Sequence, residues 1–388
     1  MTSAIVEIDL TDPAVMTDPF VAYGAACEQA PLARVGAPGF GPMWTVLRLA
    51  DAKAMLTDPR FEIRSESFQR PAVPADCEPY LRTMAELNGQ EHLRLRRLVA
   101  PAFTPRAAAE FRPAMARIVA ALLDALPAGE VELIDGFARP LPMDVICELV
   151  GIPPADRPNW REYGAAVSGA AGQAFADAIP AIMADAKAAV AHRRAEPDAD
   201  VVSELLAART EDGDQLSEVD IVRTVWHLVL AGQTPTNLVA NAVAALLAHP
   251  EELARLRAEP ALMPGAVEEL IRWCGPALLL IPRYATEDVE LCGTLIRAGE
   301  PVTASVAAAN RDPRAFDDPD RLDVGRVAGG HLGFAHGPHF CLGASLARVQ
   351  VEVALAALLR RSPDLTLVAA ERAMDPGTWR LSTLRVHW

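Results

Sequence analysis

Phe334-Ala-His-Gly-Pro-His-Phe-Cys-Leu-Gly343 runs straight into Ala-Ser-Leu-Ala-Arg348, so one cysteine stands in a turn shaped by Gly337, Pro338 and Gly343 at the entrance to a helix. Backbone N–H groups and the helix dipole favour negative charge at such a place, which suits Cys341 to be a thiolate and a metal ligand. Two other readings stand beside this one. Cys341 is an inert structural cysteine, as isolated cysteines commonly are, or it joins His331, His336 and His339 in a zinc site. Structural zinc draws its ligand pairs from two separate knuckles, and no second Cys or His pair of suitable spacing accompanies this cluster.

Outward from that loop, the chain reads as a large globule. It has 388 residues, 51% of them apolar and 22% charged, which is enough for a sizeable core. Its 36 Lys and Arg against 51 Asp and Glu leave a charge of −15, the wrong sign for a phosphate-binding face, so no nucleic-acid partner is expected. Cys27, Cys77, Cys147, Cys274, Cys292 and Cys341 are far apart with no C-x-x-C pair, which argues for a reduced, cytoplasmic chain. The first residues carry Glu7, Asp9, Asp12 and Asp18 and no basic segment before an apolar one, unlike a secretory signal.

Residues 1 to about 65 mix β-like pieces such as Trp44 to Leu49 with the turn residues Gly36, Pro38, Gly39, Gly41 and Pro42. From Glu91 to Pro250 the spacing is helical, with breaks expected at Pro127 to Gly129, Gly151 to Pro154 and Glu211 to Gly213. Ser217 and Asp220 form a capping-box signature, and the pattern after them predicts one helix to about Ala248. Between Thr224 and Pro250 no Asp, Glu, Lys or Arg occurs, yet His227, Gln233, Thr234, Asn237 and Asn241 make this a buried central helix rather than a membrane span. After Arg272 come short strands at Val289 to Leu291 and Val302 to Val306, a long loop from Arg311 to Phe340, a helix from Leu342 to Arg361 and strands to Trp388. No linker divides the chain, so residues 1–388 are read as a single domain.

The pattern F-x-x-G-x-H-x-C-x-G, here Phe334, Gly337, His339, Cys341 and Gly343, resembles the haem-binding loop of the cytochrome P-450 family, although Ala335 stands where the family usually has glycine. Other stretches are similar to the family in the same order. Glu269-Leu-Ile-Arg272 resembles its E-x-x-R pair, which closes a buried network with a downstream arginine, for which Arg314 and Arg321 are candidates. Glu91-His-Leu-Arg-Leu-Arg-Arg97 resembles its H-x-x-x-R helix. His92 and Arg96, with Arg283 and His339, then become partners for the haem propionates, because charge-assisted hydrogen bonds offset the desolvation of buried carboxylates. Read without that resemblance, His92 and Arg96 are a solvated basic helix face.

The resemblance implies a mostly α fold with small β-sheets, the cytochrome P-450 fold, holding haem b (iron protoporphyrin IX). Cys341 is then the iron ligand, and Phe334, Gly343 and Ala231 line the group. It further implies a monooxygenase that takes an apolar or aromatic secondary metabolite and receives electrons from a separate ferredoxin and ferredoxin reductase. Arg64 to Leu87, Ala277 to Ile281 and Trp379 to Leu381 are expected to wall the pocket. The central helix departs from the family, whose A-G-x-[DE]-T carries an acid and an alcohol for proton delivery. Here Ala231-Gly-Gln-Thr-Pro-Thr-Asn237 puts Thr234 in place of the acid and Pro235 in place of the alcohol. Pro235 has no N–H for the Ala231 carbonyl, so a kink is expected. Gln233, Thr234 and Thr236 are the candidate catalytic residues, organising water instead. Three outcomes follow: oxygen insertion, oxidation without insertion (coupling or desaturation), or a haem sensor without turnover.

Overall fold

The computed structural model describes residues 5–37, 41–68, 70–168, 173–327 and 329–388. Pro38 and Gly39 of the expected turn, and Gln69 of the expected pocket wall, lie outside the described residues. The backbone is mostly helical with small sheets, and two compact units are distinguished along the chain.

The first unit, residues 1–69, 240–341 and 369–384, contains the main sheet. Its strand order is Val6–Asp9, Leu32–Ala37, Gly41–Val46, Pro301–Ala304, Arg283–Ala285 and Phe61–Glu62. Leu32–Ala37 and Gly41–Val46 pair antiparallel with Val35 opposite Met43, whereas Gly41–Val46 and Pro301–Ala304 run parallel. Trp44, Val46, Val302 and Ala304 pack with Leu49, Met55 and Leu56 of the helix Leu49–Thr57 in one apolar core. Tyr23, Ala33, Val35, Leu47 and Leu278 form a second. The expected strand at Trp44 to Leu49 ends at Val46, and the helix begins at Leu49. Val289–Leu291 is a strand as expected, paired with Thr294–Ile296.

The second unit, residues 70–239, 342–368 and 385–388, is mostly helical, and in it Val131 pairs antiparallel with Val386. Thr104 caps the helix Pro105–Asp124 by accepting from Ala107 N at 3.2 Å. That helix packs along Ala344–Arg361, and Arg112 donates to both carboxylate oxygens of Glu352 at 3.0 and 2.7 Å.

The long central helix is two helices, Glu218–Ala231 and Thr234–Ala248, separated by the turn at Gly232 and Gln233. Ser217 and Asp220 form the expected reciprocal cap. Pro235 is the second residue of the later helix, a position whose N–H an α-helix leaves unused, so it starts a helix rather than kinking one. Gly232 is required by close packing: a Cβ there would lie 2.3 Å from the backbone Leu228 O and 2.3 Å from Ile146 Cδ1 of the helix Pro140–Leu149.

Candidate functional site

The cysteine loop is built by hydrogen bonds to itself. Ala335 N donates to Leu332 O at 2.8 Å, Phe340 N to Gly337 O at 3.0 Å, and Cys341 N closes the loop on Phe334 O at 2.9 Å. Phe334 is buried and meets Phe340 edge-on with ring centroids 6.2 Å apart. His339 ends the 3-10 turn Gly337–His339 and is half-buried. Cys341 is exposed, in no disulfide, and stands three residues before the helix Ala344–Arg361.

Glycine has a different meaning at each position of the loop. Gly337 has φ +73, and a Cβ on it would come within 3.0 Å of Leu56 O. Gly333 lets the loop touch the helix Met263–Cys274, since a Cβ there would lie 2.3 Å from Ile271 Cγ2. Gly343 has φ −83 and open space where a Cβ would be, so packing of the protein alone does not require glycine there. Ala335 carries a side chain at φ +60, the left-handed region that glycine normally occupies.

Arg283 ties the strand Arg283–Ala285 to the same place. It donates through Nη1 to Leu56 O at 2.8 Å, the carbonyl over which Gly337 turns. Arg283 is 5% exposed. Burial drags its pKa down to about 10, and no carboxylate pairs with it among the described residues. A buried cation without a counter-ion is unstable in protein alone, and an anionic group bound beside the cysteine loop resolves it.

Behind the loop, Arg272 is held by Glu269 in a fully buried two-bond pair, with Nε and Nη2 each 2.7 Å from carboxylate oxygens. Arg272 Nη1 also donates to Asn310 O and Pro319 O, each at 2.8 Å, and Asn310 Oδ1 accepts from Leu332 N at 2.7 Å. The third member of this network is Arg326, whose Nε lies 3.1 Å from Glu269 Oε1. Arg314 instead pairs with Glu28 and Asp312, and Arg321 with Asp318 and Asp323, so neither sequence candidate fills the role. Arg326 follows Asp323-Val-Gly, and a buried carboxylate with one arginine on its own helix is the only hint that a second was needed.

In the helical unit, His92 and Arg96 share one face of the helix Gly89–Val99, His92 buried and Arg96 half-buried. On the central helices Ala231 and Thr234 are exposed, whereas Gln233 and Thr236 are buried. The candidate trio is therefore divided between two environments. Both amide atoms of Gln233 and Thr236 Oγ1 have no hydrogen-bond partner. The amide fits against Gly164, where a Cβ would lie 3.0 Å from Gln233 Oε1. Thus Arg283, Phe334, His339 and Cys341 lie in the first unit, and His92, Arg96, Ala231, Gln233, Thr234, Thr236 and Gly343 in the second.

The expected pocket segments Ala277 to Ile281 and Trp379 to Leu381 belong to the first unit and are joined by a bridge between Ala277 and Thr378. The zinc alternative finds no support: among the described residues no group of three or more His, Cys, Asp or Glu side chains is placed to hold a metal, and His331 is engaged with Glu268 at 3.3 Å. No helix of the described residues is long and apolar enough to cross a membrane.

Residues 146–362 match the family model described as Cytochrome P450. The mycinamicin IV hydroxylase/epoxidase of Micromonospora griseorubida is 42% identical over 89% of this chain and 88% of its own. The chain belongs to the cytochrome P450 family. The P450 monooxygenase PikC of Streptomyces venezuelae is 39% identical over 96% of this chain and 91% of its own. The P450 CYP109Q5 of Chondromyces apiculatus superimposes with a TM-score of 0.91 at 32% identity, covering 98% of both chains. The fold is thus the mostly α P450 fold with small sheets, and the protein is a P450 monooxygenase with a haem-iron cofactor. Small-molecule substrates and redox partners come with that membership, and the non-catalytic sensor reading falls. The isolated buried cation at Arg283 and the Cys341 loop fit the group the family carries.

Proposed function

We propose that this P450 hydroxylates or otherwise oxidises a small apolar or aromatic secondary metabolite. The cofactor is read as haem b, the electron donors as ferredoxin and ferredoxin reductase, the compartment as cytoplasmic, and residues 1–388 as one working domain. The observation that carries the cofactor reading is Arg283, a buried guanidinium beside the cysteine loop with no carboxylate of its own. Cys341 would ligate the iron, Arg283, His339, His92 and Arg96 would hold the propionates, and Phe334, Gly343 and Ala231 would line the group. Haem ligated by a thiolate activates dioxygen, the sulfur donating electron density that favours O–O cleavage.

The residues of this chain then have to deliver protons without the usual acid and alcohol. Gln233 and Thr236 leave buried polar atoms unpartnered, which in a native fold calls for ordered water. Gln233, Thr234 and Thr236 are read as positioning this water, and neither hydroxyl ionises near neutral pH as a carboxylate does.

The direct test is turnover under labelled dioxygen after a spin-state screen for substrate. A product carrying one labelled oxygen supports insertion. An unlabelled, dehydrogenated or coupled product replaces it with oxidation without insertion, the reading favoured by the missing acid at Thr234. For the water relay, Gln233→Leu and Thr236→Val are expected to raise the share of NADPH lost to peroxide severalfold while leaving substrate binding unchanged. Unchanged coupling in both contradicts the relay.

A further inference from the structure

His331 opens the cysteine loop with its side chain only 3% exposed. Gly333 N donates to its Nδ1 at 3.1 Å, so that nitrogen is the bare one and the ring proton sits on Nε2. Nε2 in turn donates to Glu268 Oε2, 3.3 Å away on the helix Met263–Cys274. The carboxylate fixes the tautomer, and the tautomer leaves a lone pair for the loop.

The two peptide N–H groups ahead of Phe334 are each held by a buried side chain. Leu332 N donates to Oδ1 of Asn310 at 2.7 Å, and Gly333 N to His331. His331 also packs against Phe334, with ring centroids 6.2 Å apart. Between the clamped amides and the packed ring the Phe334 carbonyl is left one direction, in which it accepts from Cys341 N at 2.9 Å. An N–H held by that carbonyl is withheld from the Cys341 sulfur. Hydrogen bonds to a ligating sulfur draw off the electron density it gives a metal and so tune the potential.

We propose that His331 is a positioning residue for the thiolate: through Gly333 and Phe334 it keeps the Cys341 N–H on a carbonyl, and so keeps the sulfur a full electron donor. It acts through the loop and not on haem or substrate. The inference rests on the reading of Cys341 as the iron ligand and deepens it. Glu268 belongs to the same device. By accepting from Nε2 it excludes the tautomer that would set one N–H against another at Gly333.

The test compares two polar variants of the haem-loaded protein. His331→Asn places an oxygen near the position of Nδ1 and keeps the acceptor for Gly333 N, whereas His331→Gln reaches Glu268 and loses that acceptor. His331→Gln is expected to raise the haem midpoint potential by about 59 mV, a tenfold shift in the one-electron reduction equilibrium. Its reduced carbon monoxide form is expected to lose the long-wavelength Soret band about tenfold faster than the wild type. His331→Asn is expected to keep both values near those of the wild type. Loss of haem from His331→Gln but not from His331→Asn supports the same role. Wild-type values in His331→Gln, or equal changes in the two variants, equal loss of haem included, overturn the proposal, because the histidine would then only fill space. A wild type that shows no long-wavelength band removes the ligation reading and this role with it, a failure seen in the first spectrum before any variant is made.

Discussion

At the scale of single residues, the cysteine loop carries a defined strain. Ala335 holds φ +60, a region that costs an L-residue about 1–2 kcal/mol and glycine almost nothing. Ala335→Gly should therefore raise the denaturation midpoint by an amount equal to about 1 kcal/mol, after part of the gain is lost to the greater freedom of glycine in the unfolded chain. Arg283 offers a second test. Arg283→Gln keeps a donor for Leu56 O and removes the unmatched charge, so the haem-free protein should lose little stability. Haem retention should fall roughly tenfold or more, as expected when one partner of a buried charge pair is truncated. Equal haem retention would mean that Arg283 meets no anion.

His227 gives a pH dependence whose sign follows from its lowered pKa. The unfolded chain takes up a proton at the ordinary histidine pKa of 6.5, and the folded chain does not until about 4. The unfolded state binds more protons between those values, so His227 removes stability as pH falls from 6.5 towards 4. Denaturation midpoints of His227→Gln should decline less over that window than those of the wild type.

At the scale of elements, the network behind the loop is the most sensitive feature. Glu269 holds Arg272 and Arg326 with no exposure of its own, so Glu269→Leu strands two guanidinium groups in the interior. A loss of about 3–5 kcal/mol is expected, with weak haem loading as the visible sign. The pair Glu269 and Arg272 was legible because their spacing puts both on one helix face. Arg326 was not, since its approach depends on a loop whose path no local pattern encodes. Gly337 could be read as a turn residue, but the near contact of Gly333 with Ile271 comes from tertiary packing alone. The central helix shows the same limit. Its cap at Ser217 and its apolar pattern are local and readable, and Pro235 announced a disturbance. Whether a proline kinks a helix or begins the next one depends on the turn before it, and Gly232, packed on Ile146, supplies that turn.

At the scale of the whole molecule, each described unit holds part of the proposed residue set. Sulfur from Cys341 is assigned as the ligand of the haem iron, and one spectrum tests that bond. Reduced protein treated with carbon monoxide should show the long-wavelength Soret band that thiolate ligation produces, and Cys341→Ser should lose it. Persistence of that band in the serine variant, or its absence from haem-loaded wild type, would contradict the assignment.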